Sequence, residues 1–380
     1  MEHGPIMDTA TYQQRSNRVV ADVIAPSAAE VDKDARYPRG NLDALAQAGL
    51  LGLISAKEVG GIGGDMRAAA VVVEDIAAAC GSTAMVVGMH YCGTAVIEKF
   101  GRADVRKAIA AGRHVTTLAF SEAGSRSHFW APVGTAVAVD GGIVLDGMKS
   151  WITSAGEADS YVWSSKPVSA AGASTIWLVP AKAAGVSTVA PFDGLGMRGN
   201  ASSPVKGARV KVSEADRLGA DGGGFDVMMG VVLPIFQMLN ASASLGIAES
   251  ALQKAAAHVA QTRFQHLGQS LADLPTIRAY LAKARIKLDA ARTLRDDTLA
   301  ALQSNRADAM LRVLEVKAAA AEAALEITDT AMRVCGGAAF RKDVGIERHF
   351  RDARAASVMA PTSDVLYDFI GKAVCGLPLF

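Results

Sequence analysis

The segment Leu118–Pro132, LAFSEAGSRSHFWAP, is dense in small polar residues. Ser121, Ser125 and Ser127 offer hydroxyls. Exposed backbone N–H groups in such a loop can grip an anion or the edge of a heteroaromatic ring. A Ser/Gly turn accounts for the same composition. In KSWITSAGEADSYVW, Trp151 and Thr153 stand two apart in an expected strand, so they face one way. A flat ring beside a hydroxyl suits stacking on, and bonding to, a planar cofactor; core packing is the plainer alternative. In RVCGGAAFRKDVGIERHFRDAR, Gly336 and Gly337 end a helix and let another group approach the backbone. Arg348, Arg351 and Arg354 carry charge for a phosphate, although a solvated, salt-bridged face is the commoner use of such arginines. From Ala353 to Ser363 there is no acid at all, and the next carboxylate is Asp364.

The totals narrow the classes. Net charge is +1 over 380 residues and the basic residues are scattered singly, so a nucleic-acid footprint is excluded. None of the four cysteines, Cys80, Cys92, Cys335 and Cys375, sits in a CxxC pair. Reduced, buried thiols are expected, and no metal site. Glu2 and Asp8 argue against a signal peptide. No apolar run reaches the roughly eighteen residues that span a bilayer. A cytoplasmic protein with no membrane partner is expected.

The elements that must position these residues fall into three zones. Residues 1–114 read as helical: LDALAQAGLLGLI places Leu42, Leu45 and Ala46 on one helix face with Gly49 near its end. The apolar RAAAVVVEDIAAACGSTAMVVGMHYCGTAVIEKFG reads as two buried helices broken at Gly81–Ser82. Residues 115–218 carry short β-prone runs: VTTLAF, GTAVAV, GIVLDG, SYVWSS, STIWLV and ARVKV. Turn residues separate them, as in an antiparallel barrel or sandwich. Residues 219–380 are helical again, with an apolar seam through Leu311, Leu314, Ala318, Ala321 and Leu325 suited to a bundle. The order is α+β and multidomain. Strands do not alternate with helices, so GGIGGD is a turn and not a dinucleotide loop.

Together these segments resemble the acyl-CoA dehydrogenase superfamily over nearly the whole chain. LAQAGLLGL, LAFSEAGSRS, GMKSWITSAGEADSYV, RVCGGAAFRKDVGIERHFRDAR and APTSDVL stand in that family's order and spacing. The resemblance implies a helical N-terminal domain, a middle antiparallel β-barrel and a C-terminal four-helix bundle. It also implies FAD in a cleft between them and a homotetramer, a dimer of dimers. Phe120 and Ser121 are implied against the flavin pyrimidine, and Ser127 on the diphosphate. Trp151 and Thr153 are implied beside the isoalloxazine, with Thr153 near N5. Gly336 and Gly337 match a glycine pair that holds FAD from the neighbouring subunit. Thr362 matches a flavin-contacting Thr, and Arg263 is the displaced counterpart of a flavin-contacting Arg.

The departures from that pattern bear on the chemistry. The family's dehydrogenases remove an α-proton with a Glu. Its implied position is Ala360, or in other members Phe236, and both are apolar here. Phe236 is followed by Gln237 where Arg is frequent. Asp364, one helical turn beyond Ala360, is a poor replacement because a turn is about 5–6 Å. Met89 and His90 lie on a helix that lines the family's cleft. Other family positions read Arg126, His128, Pro275 and Arg333. SEAGSRSHFWAP resembles the superfamily's monooxygenase branch, the bacterial indole hydroxylases. Those activate O2 on reduced flavin as a C4a-hydroperoxide and oxygenate an aromatic ring.

On this reading His90, Ser121, Thr153 and Ser154 are the catalytic donors. Met89, His90, Phe236, Gln237 and Ala360 line the substrate pocket. A separate NAD(P)H flavin reductase supplies reduced FAD. The alternatives are an acyl-CoA dehydrogenase with a relocated base and a non-catalytic flavin or acyl-CoA binding protein. Fold alone does not choose among them.

Overall fold

The computed structural model describes residues 9–379; Glu2 and Asp8 lie outside the described residues. The chain opens with α1 (Thr9–Val19), a π-helical turn, α2 (Ala25–Lys33) and α3 (Arg39–Gln47). Two apolar helices follow, α4 (Met66–Ala79) and α5 (Gly81–Phe100), then the short α6 (Ala103–Ala110). Asp65 caps α4 by accepting the Ala68 N–H at 2.9 Å, which satisfies one of the free donors of the first turn. The break between α4 and α5 falls at Cys80, beside the expected Gly81–Ser82. Small residues let α5 bury nearly every face, as an all-round apolar helix must.

The middle region carries β1 (Thr116–Ala119), β2 (Thr135–Val139), β3 (Gly142–Ile152), β4 (Ser160–Ser165), β5 (Thr175–Pro180), β6 (Val186–Thr188) and β7 (Ser203–Val212). The expected antiparallel barrel is corrected: there are two open sheets, β1-β4-β5 and β2-β3-β7-β6, and β1 runs parallel to β4. Alternation within a run marks a strand but does not say which distant strand it pairs with. Trp163, Trp177 and Tyr161 fill a core of their own within these sheets.

The C-terminal region is helical. A short α7 (Gly224–Val227) passes through a π-helical turn into α8 (Leu233–Gln261). A two-strand hairpin, β8 (Arg263–Phe264) and β9 (Gln269–Ser270), leads to α9 (Pro275–Gln303) and α10 (Ala309–Cys335). Then come α11 (Ile346–Val358) and α12 (Ser363–Val374). α10 packs on α8, α9, α11 and α12, and α8 packs back on α4 and α5. Contrary to the sequence expectation, the continuous helix Gly224–Gln261 is long and apolar enough to cross a membrane by composition. Its apolar window is 89% buried inside the fold, which is the position of a core helix. The thiols of Cys80, Cys92 and Cys335 are buried and free, whereas Cys375 is exposed.

One buried ion pair shapes the loop after β1. Lys149 Nζ meets Glu122 Oε1 at 2.6 Å and also donates to the Ser164 carbonyl at 2.7 Å. Glu122 Oε2 accepts from the N–H groups of Val133 (2.6 Å) and Gly134 (3.1 Å), closing Leu118–Pro132 into a compact loop. Burial pushes the Lys149 ammonium down to about 8, opposed by Glu122. Lys149→Met should therefore strand a buried carboxylate and cost about 3–5 kcal/mol, read as a fall in melting temperature. Adding Glu122→Leu should recover much of the loss.

Candidate functional site

Three elements deliver the candidate residues to one region. The end of β1 brings Phe120 and Ser121, and the Ser121 carbonyl accepts the Ser150 N–H at 2.8 Å, joining it to the end of β3. There the strand is irregular: the register between β3 and β7 shifts from Lys149 to Ile152, and Trp151 adopts φ +59°. The expectation that Trp151 and Thr153 face one way is therefore corrected. Trp151 stands 74% exposed, while Thr153 is buried with its hydroxyl 3.2 Å from that of Ser202. Ser154 is buried and accepts the Tyr37 phenol at 3.0 Å, which leaves its own hydroxyl hydrogen to donate. The phenol is pushed up to about 12 by burial.

The third element is the turn between α11 and α12. Thr362 caps α12, accepting the Val365 N–H at 3.4 Å. Ala360 is half-buried and precedes Pro361. α8 meets this turn through Asn240, whose amide nitrogen is 3.3 Å from Met359 Sδ. Phe236 and Gln237 stand one turn before Asn240 on the same helix face. Phe236, one expected base position, thus stands a helical turn from the residue that meets the turn carrying the other, Ala360. Gln237 is fully buried, and neither its amide oxygen nor its nitrogen has a partner; the Asn240 oxygen is likewise unpaired. Met89 on α5 keeps partial exposure. The loop after β1 reaches α12 directly, with the Trp130 and Phe369 rings 5.9 Å apart. An open cavity of about 470 Å³ between them is lined by His128, Trp130, Asp364 and Phe369. A neighbouring one of about 540 Å³ is lined by Ser125, Arg126, Ser127 and His128.

His90 does not serve as expected. Its Nδ1 accepts the Thr116 N–H at 3.2 Å, so Nε2 carries the hydrogen and donates to the Leu51 carbonyl at 3.0 Å. Both nitrogens are committed to backbone, and the ring ties β1 to the chain before α4. Arg351 and Arg348 are committed as well, Arg351 to Asp32 and Glu347 and Arg348 to the Ala79 carbonyl. Arg263 lies exposed on the β8–β9 hairpin and donates to its own Gly268 carbonyl at 3.3 Å. Gly336 and Gly337 are exposed beyond α10. Among the described residues, no hydrogen bond joins Arg263 or the glycine pair to the groups above within one chain.

Three domain families match in order. Acyl-CoA dehydrogenase N-terminal domain matches residues 8–112, middle domain 117–210 and C-terminal domain 222–375. The chain belongs to the acyl-CoA dehydrogenase family. The human mitochondrial short-chain specific acyl-CoA dehydrogenase is 31% identical over 350 residues, 90% of this chain and 83% of that protein. Butyryl-CoA dehydrogenase from Megasphaera elsdenii has the same fold, with a TM-score of 0.90 at 22% identity, covering 99% of this chain and 100% of that one. TdsC from Paenibacillus sp. A11-2, solved with FMN and indole, superposes with a TM-score of 0.86 at 23% identity over 97% of this chain and 98% of that one. This chain is accordingly an acyl-CoA dehydrogenase-family flavoprotein, and family members are flavin-dependent oxidoreductases.

The residues present fit a flavin. Trp151 offers an aromatic face, and Ser125 Oγ is buried without a partner in the loop after β1. Gly336 adopts φ +56°, and nothing lies within 4 Å of a Cβ built there or at Gly337, so a ligand can approach the backbone closely. Sequence reasoning missed the Glu122–Lys149 pair, the Tyr37–Ser154 bond and Lys317. The Lys317 signal was readable: it stands three residues after Leu314 and four before Ala321, on the apolar seam of α10.

Burial pushes the His90 imidazole down to about 4 from its ordinary 6.5. Between those two pH values the unfolded chain binds a proton that the folded chain refuses. Stability that His90 contributes near neutral pH is therefore lost on acidification through this window, about 3 kcal/mol in all. The difference between the stability–pH curves of wild type and His90→Gln should show that slope, measured by denaturant melts from pH 7 to 4.

Proposed function

We propose that this protein is a flavin-dependent monooxygenase that hydroxylates a small, indole-like aromatic substrate. The observation that carries the reading is that Ala360 and Phe236 both lack a carboxylate. Asp364, four residues beyond Ala360, is exposed and turns to the open cavity beside Trp130, while Glu122 is engaged with Lys149 and Asp352 with the Met197 N–H. An α,β-dehydrogenation requires a base at the α-carbon, and losing one typically costs on the order of 10² to 10⁴-fold. The TdsC complex with indole supports an aromatic ligand on this fold.

When bound and reduced, the flavin supplies two electrons to O2, one oxygen entering the ring and the other leaving as water. The chain does the rest. Trp151 and the backbone around Ser121 and Thr153 seat the flavin ring. Ser127, Arg263 and the Gly336–Gly337 pair hold its phosphates, the last two across a subunit boundary of a homotetramer. Thr362 meets it from the start of α12. Phe236, Met89 and Ala360 exclude water and present no base. Gln237 and Ser154 are the polar groups that orient the substrate. Reduced FAD comes from a separate NAD(P)H flavin reductase, in the cytoplasm.

A second reading is favoured by the 31% identity to the human short-chain dehydrogenase: an acyl-CoA dehydrogenase with a relocated base. The two separate cleanly in the test tube. With NADH, flavin and a generic reductase, the monooxygenase consumes O2 and forms hydroxylated indole; no product above the reductase-only control across an aromatic panel sinks it. Anaerobic bleaching of bound FAD by an acyl-CoA establishes the dehydrogenase instead. Ala360→Glu should place a carboxylate in the pocket and lower aromatic hydroxylation at least tenfold, and an unchanged rate would place Ala360 outside it.

A further inference from the structure

Lys317 is a lysine with no counter-ion in the middle of the protein. It projects from α10, is fully buried, and forms no ion pair among the described residues. Its amine donates to two backbone carbonyls, Met359 O at 2.8 Å and Pro361 O at 2.6 Å. Burial pushes it down to about 7. A buried amine is costly unless its hydrogen bonds are made, so these two acceptors account for its place in the core.

The two carbonyls have a particular location. α11 ends at Val358 and α12 begins at Ser363, so Met359–Pro361 is a turn whose carbonyls no helix can satisfy. They flank Ala360, and the next residue is Thr362, the cap of α12. From the other side Asn240 on α8 touches the Met359 sulfur. The turn is thus gripped by α10 and α8 at once, and the α10 grip acts on backbone, whatever side chain stands at 360.

We propose that Lys317 is the positioning residue of the flavin site: by holding the carbonyls on both sides of Ala360 it sets where Thr362 and the start of α12 stand against the flavin. This rests on the assignment of Thr362 to the flavin made above. It calls for no change in Lys317 during turnover, only that the turn keep one geometry.

The test is the equilibrium affinity of the apoprotein for FAD, followed by fluorescence quenching well below the melting temperature. Lys317→Met, similar in length but without N–H donors, should raise the dissociation constant more than tenfold. Lys317→Gln keeps two donors on its amide and should fall between the variant and wild type. Lys254→Met removes a half-buried lysine of α8 that faces His349 of α11, and should leave the constant unchanged. A merely structural lysine would lower the melting temperature and leave the FAD constant of the folded protein where it was; that result overturns the proposal. If Lys317→Met does not fold, Lys317→Gln and Thr362→Ala are combined in a double-mutant cycle on the same constant. Their effects should be less than additive, and strict additivity overturns the positioning role. Wild-type protein that binds no FAD overturns the flavin site itself, a different outcome from wild-type binding with an unaltered variant.

Discussion

The arrangement of the three regions depends on Arg351 and Asp352 near the middle of α11. Asp352 is fully enclosed, and its Oδ1 accepts the Met197 N–H at 2.5 Å. Its other oxygen lies so near Gly81 that a Cβ there would stand 2.8 Å away, so α5 must begin with a glycine to approach. Arg351 grips Asp32 of α2 with two nitrogens, at 2.8 and 2.5 Å, and also the Leu195 carbonyl at 3.0 Å. Helices from the N-terminal region, a loop of the middle region and a helix of the C-terminal region therefore meet at two consecutive side chains. Buried charges tolerate little misplacement, because their desolvation is offset only when the geometry is good. From Asp352 to Val358, the end of α11, is six residues, about 9 Å of helical rise, with Ala360 two residues further on. A rigid lever of that length joins the junction to the turn that carries Ala360 and Thr362.

The same logic of commitment governs the charges around the site. Glu122 serves Lys149 and two backbone N–H groups; His90 serves two backbone groups; Lys317 serves two carbonyls. Each of these titratable groups is buried, and each spends its hydrogen bonds on holding backbone in place. The interior is well supplied with ionisable residues, yet those that are buried are engaged in structure. What remains at Phe236, Gln237, Asn240 and Ala360 is neutral: an aromatic ring, a methyl group and two amides with unpaired atoms. Such a surface can orient a polar edge of a ligand, but it cannot remove a carbon-bound proton.

Much of the architecture was legible, for local reasons. Six of the seven middle-region strands announce themselves as β-branched runs between turn residues, and the helices as apolar seams or Ala-rich runs. β6 has three residues, too few for a period to show. The closed barrel was wrong because pairing is a long-range property: β1 lies parallel to β4, and nothing within either run says so. At the site, residue types were legible and their orientations were not. Two-residue spacing should put Trp151 and Thr153 on one face, but the bulge and positive φ at Trp151 turn it outward. His90 looked like chemistry and is a clamp, because its partners, Leu51 and Thr116, are distant in sequence. Lys317 went unnoticed in the sequence, since the carbonyls it meets, those of Met359 and Pro361, are likewise distant along the chain.

The proposed change of chemistry can be set against the way the turn before α12 is held. The turn before α12 keeps its cap at Thr362, its carbonyl grip from Lys317 and its contact with Asn240. None of these interactions depends on the side chain at 360. The turn is therefore held in place while Ala360, the position at which the resemblance implies a base, carries a methyl group. Phe236, the second position that the resemblance implies for a base, carries a ring. With apolar groups at both positions where the resemblance implies a carboxylate, the proposed site has no base at either of them. Unpaired amide atoms at Gln237 are costly in such surroundings unless a ligand meets them, since a buried unpaired polar group forfeits about 1–3 kcal/mol. The proposed oxygen transfer to an aromatic ring calls for no carboxylate beside the substrate, whereas proton abstraction from a thioester does.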